Sequence, residues 1–409
     1  MTEQSDPRRD LLLTLLGAAL ARVDGRRCVR EALRAEAGST LTGPVWMAAV
    51  GKAAPAMALG AYDSLGERVA RSLIITRDDH APPELLARSG VELIASSHPV
   101  PDERSLAAGA RLLEWVESLP AEAQPLFLIS GGASSLVEVL REPHTLADLE
   151  SFTARELAAG TAIGELNARR IALSRIKGGR LTARLRGRAA RALFVSDVPG
   201  DDPGLIGSGL LGPSSEGPDR VQRTLIASVE QAVAGAAEAA RERGLSVHAP
   251  PQRFDGDAVR LAARFAHELR LSSSAVCAWG GESTVQLPPH PGRGGRNQHL
   301  ALAAARLIAG QADLLLLAAG TDGTDGVTED AGALVDADSC ARVALGGLDV
   351  DTCLKGANSA SALAASGDLL HLGPTGTNVG DLVIGLKLTR EEAARLPAPP
   401  RGGAPARML

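Results

Sequence analysis

Aromatic side chains make up only 2% of this 409-residue chain, it has four cysteines, and its net charge is −5. Scarce aromatics and a slight negative charge argue against nucleic-acid binding, which uses stacking platforms and basic patches. Cys28, Cys277, Cys340 and Cys353 stand far apart with no CxxC pair. That spacing gives neither a zinc ribbon nor a disulfide framework, and reduced thiols in a cytoplasmic protein are expected. No apolar run is long enough to cross a bilayer. Leu11 to Ala21, after Arg8-Arg9, looks at first like an export signal, but Asp10 interrupts it and an amphipathic pattern continues into Val29–Glu36. It reads instead as the first helices of the folded chain.

What is plentiful is glycine and proline, 45 and 24 residues, which implies many tight turns between short elements. The length exceeds what one core usually holds. Two domains are expected, 1–272 and 273–409, with Ala249-Pro250-Pro251 as a candidate linker. Short apolar strands are predicted at Val45–Val50, Leu73–Thr76, Val91–Ala95, Leu126–Ser130, Leu193–Ser196, Ala275–Trp279, Leu314–Ala319 and Leu382–Leu386. Most are uniformly apolar and helical segments separate many of them, the pattern of an α/β protein with a mostly parallel sheet. Long helices are predicted over Arg220–Arg243 and Asp257–Leu271, and the proline-rich tail after Leu396 reads as loosely ordered.

In such folds ligands gather beyond the carboxyl ends of the strands. Those ends are Gly51-Lys52, Ser130-Gly131-Gly132, Ser196-Asp197, Gly280-Gly281-Glu282 and Thr321-Asp322. Lys52 is a point charge suited to a phosphoryl group, although a lone lysine is usually just solvated. Ser130, Gly131, Gly132 and Ser134 read equally as an anion-binding turn or as a tight strand-to-helix turn. No Gly-Lys-Ser/Thr follows, so this is not a P-loop. Lys177 and Arg180, around a Gly-Gly pair, are candidates for gripping an anion or for an exposed helix junction. Asp197 is a candidate metal ligand or base, whereas Asp201 and Asp202 read as turn or cap residues. His98 reads as structural or substrate-orienting. The glycine-rich Gly292–Gly295 opens a helix at Arg296-Asn297-Gln298, a place for a phosphate. Asp322 and Asp325 lie in Thr-Asp-Gly-Thr-Asp-Gly, where one carboxylate suits a hydroxyl proton and the other Mg²⁺. The closing Glu of a calcium loop is missing. Together these features point to phosphoryl transfer to a small hydroxy acid.

The ensemble resembles the glycerate 2-kinase family, whose C-terminal part is the MOFRL domain. The resemblance runs through Gly51-Lys52-Ala53, His98-Pro-Val-Pro-Asp102, Ser130-Gly-Gly, Ser174-Arg-Ile-Lys-Gly-Gly-Arg-Leu181 and Ser196-Asp-Val-Pro-Gly-Asp-Asp202. It continues through Gly292-Arg-Gly-Gly-Arg-Asn-Gln298, Thr321-Asp-Gly-Thr-Asp-Gly326 and Gly373-Pro-Thr-Gly-Thr-Asn378. It implies a Rossmann-like N-terminal domain and a smaller α/β C-terminal domain. It also implies ATP-dependent phosphorylation of D-glycerate at its 2-hydroxyl, with Mg²⁺. By matching position it makes Lys52, Arg296, Asp322 and Asp325 active-site candidates. We assign Lys52 and Arg296 to phosphoryl charge and Asp197 or Asp322 to metal or base. D-glycerate and nucleotide are the expected partners, with no nucleic acid or membrane, in a monomer or homodimer.

Three positions depart from the family pattern. Ala133 stands where a third glycine is usual and is expected to tighten the space over a phosphate; Gly209-Leu-Leu-Gly and Asn358-Ser-Ala-Ser replace other usual runs. These leave open a kinase for another small hydroxy acid. Two further readings differ in class. A hydroxypyruvate reductase needs a GxGxxG turn after an early strand, which Gly51-Lys52-Ala-Ala-Pro does not supply. A non-catalytic sugar-acid sensor has no need of Asp197, Asp322 and Asp325.

Overall fold

The computed structural model describes residues 6–35, 43–77, 82–159 and 163–396. The proline-rich tail after Leu396 lies outside them. Two compact units emerge, one from Val23–Ser228 and Gly376–Val379, the other from the described parts of Met1–Arg22, Val229–Thr375 and Gly380–Leu409. Among the described residues no helix is long and apolar enough to cross a membrane.

The first unit holds six strands: β1 (Val45–Val50), β2 (Val69–Arg77), β3 (Val91–Ser96), β4 (Gln124–Ile129), β5 (Ala190–Val195) and β6 (Val221–Ala227). All pair in parallel, in the order β3-β2-β1-β4-β5-β6. This is the Rossmann-like arrangement, whose direction of winding reverses between β1 and β4. The inner strands are apolar along most of their length because helices cover both faces; Met47, Leu73, Phe127 and Phe194 are buried.

β6 was expected as helix. Gln222, Arg223 and Thr224 make it look polar, but it is an edge strand, where exposed and charged side chains are normal. Arg223 turns back to the carbonyls of Leu211 and Gly212. The helix that follows covers only Val229–Arg241.

The second unit contains β7 (Val247–His248), β8 (Phe254–Asp257), β9 (Val276–Thr284), β10 (Leu314–Gly320), β11 (Gly332–Val335), β12 (Leu369–Leu370) and β13 (Asp381–Lys387). The order is β12-β11-β10-β13-β9-β7, with β8 on β9. Unlike the expected parallel sheet, β9, β13, β10, β11 and β12 run antiparallel to their neighbours, and only β7 and β8 join β9 in parallel. Uniform apolarity reports burial of both faces, not strand direction, and helices cover this sheet too.

The compact units divide the chain elsewhere than at residue 272. Helices Val229–Arg241 and Ala258–Leu271 bury their apolar stripes on the second sheet; Phe265 packs its ring 4.6 Å from that of Trp279 on β9. Leu11, Leu12, Leu15 and Leu16 of the signal-like run form, with Ala19, the buried face of helix Pro7–Arg22, which joins the same unit. Arg9 on that helix pairs with Asp336 and Asp368.

Candidate functional site

The candidate residues fall into one cluster in each unit. In the six-stranded unit the cluster stands at the carboxyl ends of β1 and β4, where the winding reverses. Gly51 sits against the next turn so closely that a Cβ there would lie 2.1 Å from Ser130 Oγ. Three hydrogen bonds tie the two strand ends: Ser130 N to Val50 O (3.0 Å), Lys52 N to Gly131 O (3.0 Å) and Ala53 N to Ser130 Oγ (3.1 Å). Helix Ala54–Leu65 starts here, and no side chain caps it. Ala54 N donates to Gly51 O at 3.2 Å, Ala53 N to Ser130 Oγ, and Pro55 has no N–H, so the first turn offers an anion the positive pole of the helix beside Lys52 and not its leading N–H groups.

Gly132 adopts a left-handed φ of 84°, and Lys52 Cγ and His98 Cδ2 lie 3.1 and 3.2 Å from where its Cβ would be. On the other side of the turn, Asp197 Oδ2 and Asn378 Nδ2 occupy the space of a Gly131 Cβ. Lys52, His98, Ser130, Gly131, Gly132 and Asp197 are therefore brought together. The Ala133 methyl is buried, packed toward Gly207, so this departure fills the core behind the turn instead of the space over a phosphate.

Lys177, Arg180 and Ser134 lie behind the turn. Lys177 Nζ donates to Glu138 Oε2 at 2.5 Å and to the Ser134 carbonyl at 2.7 Å, with both charged side chains buried. Burial pushes its pKa below the ordinary lysine value despite the pull of Glu138. Arg180 donates to the carbonyls of Ile171 and Ser174 and to Glu216. Ser134 Oγ is 2.6 Å from Ser208 Oγ, which donates to Asn167. Lys177 thus braces the backbone behind the turn, while Arg180 ties together its own segment, Ile171 to Lys177.

The second cluster surrounds the start of helix Arg296–Ile308 and the turn after β10. The expected phosphate place at this helix start has an occupant from the chain itself. Asp325 accepts from the N–H groups of Asn297 (3.1 Å) and Gln298 (2.7 Å). Buried, and facing Asp381, Asp325 has its pKa pushed up to about 7 although these N–H groups and Arg296 oppose the shift. Asp381, the first residue of β13, takes Arg296 Nε at 2.8 Å, Arg296 Nη2 at 3.0 Å and Asn297 Nδ2 at 2.9 Å. Glu282 takes Arg296 Nη1. Burial alone would depress the Arg296 pKa, but these carboxylates outweigh it and hold the guanidinium above its ordinary value.

Asp322 is buried just past β10, with Thr324 N donating to its Oδ1 at 3.0 Å. The next residue, Gly323, meets the loop at Gly373, whose carbonyl would lie 1.9 Å from a Cβ. Gly280 and Gly281, expected at a strand end, lie inside β9. Side chains there would strike Val229 and the Phe254 backbone. Asn358 braces the glycine-rich loop by accepting from Arg293 N at 3.0 Å.

Sequence reasoning missed Asp381, Glu138 and the pairing of Asn378. Asp381 opens an apolar strand and Glu138 interrupts an apolar run, two signals of a buried, paired carboxylate. Among the described residues no group of three or more His, Cys, Asp or Glu side chains is arranged to hold a metal.

Comparison with known proteins agrees with this architecture. Residues 11–239 match a domain of unknown function, DUF4147, and residues 275–381 match the MOFRL family. A D-glycerate 2-kinase from Thermotoga maritima is 36% identical over 381 residues, 84% of this chain and 90% of that protein. A protein from Agrobacterium vitis with a provisional hydroxypyruvate reductase name is 32% identical, covering 93% of this chain and 95% of the other. A crystal structure of glycerate kinase from Thermotoga maritima superposes with a TM-score of 0.80 at 33% identity, covering 93% of this chain and 99% of that one.

Proposed function

Because the chain belongs to the glycerate 2-kinase family with its MOFRL domain, we propose that it transfers the γ-phosphoryl group of ATP to the 2-hydroxyl of D-glycerate. The observation that carries this reading is the junction of β1 and β4. A lysine, a serine-glycine-glycine turn and the positive pole of a helix meet there at the winding reversal. The same junction disfavours hydride transfer. Gly51-Lys52-Ala53-Ala54-Pro55 lacks the second and third glycines with which a dinucleotide turn approaches a pyrophosphate.

The hydroxyl oxygen attacks the γ-phosphorus, the bond to ADP breaks, and the proton passes to a carboxylate. Lys52 and Arg296 supply positive charge toward phosphoryl oxygens. His98, beside Gly132, orients the reactants. Asp322 and Asp197 are the candidate carboxylates for the hydroxyl proton and for Mg²⁺. In kinases Mg²⁺ keeps several waters and takes one or two carboxylates plus the phosphates, so either Asp197 or Asp322 alone is the kind of ligand it uses. When bound, Mg²⁺ neutralises developing charge on the phosphates. Asp325 and Lys177 support the turns that carry these groups.

An ADP-release assay with ATP, Mg²⁺ and a panel of small hydroxy acids tests the reading. Turnover is expected with D-glycerate. Turnover only with another acid would move the substrate, and none with any would favour a sensor.

A further inference from the structure

Arg296 has two carboxylate partners of unequal standing. Asp381 is 1% exposed, and besides the guanidinium and Asn297 it accepts from Ser283 N at 3.2 Å. Both of its oxygens are committed, and losing Arg296 would strand a buried charge. Glu282, by contrast, holds only Nη1, and its side chain is 40% exposed. Water can replace that contact at little cost. The guanidinium is therefore anchored along its Nε–Nη2 edge and exchangeable at Nη1.

We propose that Glu282 is a built-in competitor for Arg296. It occupies Nη1 until an anionic oxygen of a bound reactant displaces it, while Asp381 keeps the guanidinium in place. The inference rests on the reading of Arg296 as a reactant-binding residue. The displacing group is a carboxylate oxygen of the hydroxy acid or a phosphoryl oxygen of the nucleotide. With two carboxylates already on one guanidinium, a weakly charged stray anion gains little by entering. Glu282 in this way sets a threshold that favours a reactant held at other points too.

The test is steady-state kinetics of Glu282→Gln and Glu282→Ala, varying D-glycerate and MgATP in turn. Both substitutions fall on a half-exposed side chain, and a thermal melt checks the fold. The KM of one reactant is expected to fall about 2- to 5-fold, the range set by a weak ion pair, with kcat nearly unchanged. Inhibition by inorganic phosphate should strengthen in parallel. A fall confined to D-glycerate assigns the carboxylate, and one confined to MgATP assigns the phosphoryl group. KM values unchanged or raised for both reactants would overturn the proposal. Arg296→Met separates the two levels of inference. Full activity in that variant refutes the role of Arg296 itself, whereas an inactive Arg296→Met beside an unaltered Glu282→Gln refutes only the competition.

Discussion

Asn378 donates from Nδ2 to Asp197 Oδ2 at 3.2 Å, across 181 positions of the chain, and Gly131 leaves the space in which the two meet. A Cβ at Gly131 would lie 1.9 Å from Asp197 Oδ2 and 2.1 Å from Asn378 Nδ2. Gly131→Ala is therefore expected to displace both side chains. A shift of this size costs a catalytic site about 100-fold in kcat/KM. Kinetics together with circular dichroism checks this, the spectrum remaining that of the wild type.

The Lys177–Glu138 pair makes the opposite prediction, a change in stability. With both side chains buried, Lys177→Met leaves Glu138 uncompensated and should lower unfolding stability by about 3–5 kcal/mol. The double variant Lys177→Met with Glu138→Leu removes both charges and should recover much of the loss. Urea denaturation measures both.

Asp325 gives the protein a pH dependence of known sign. Its pKa is about 7 in the folded chain against an ordinary 3.8, so the folded state holds this proton more tightly. The contribution is fully present below the ordinary value and is lost as pH rises through about 7, on the order of 4 kcal/mol in all. Asp325→Asn should flatten the fall in stability between about pH 4 and about pH 7, as read from denaturation midpoints. An equally steep fall in the variant would contradict this assignment.

Ala133→Gly tests where the family departure acts. The methyl is buried toward Gly207, so its loss should cost about 0.5–1 kcal/mol and leave the KM for ATP unaltered. A lowered KM would return the methyl to the space over the phosphates.

Much of this was legible in the sequence because strand ends carry their own marks. The apolar runs Val45–Val50 and Leu126–Ile129 predict β1 and β4, and the residues after them, Gly51-Lys52 and Ser130-Gly131-Gly132, meet in space. Asp257 caps its helix through Arg260 N, where the pattern placed the helix start. What stayed hidden depends on pairing. Val221–Ala227 carries an edge strand's polar residues, so nothing in its own composition separates it from a helix. The antiparallel second sheet, the Asp381–Arg296 fork and the occupation of the helix start by Asp325 are contacts between distant segments. No local period encodes them.

The most direct test of the central claim is the position of the new phosphate. Protein incubated with ATP, Mg²⁺ and D-glycerate should give 2-phosphoglycerate and ADP by phosphorus NMR, and folded Lys52→Ala and Asp322→Asn should give neither. Folded wild-type protein that leaves D-glycerate untouched, or either variant at wild-type rate, would contradict the account.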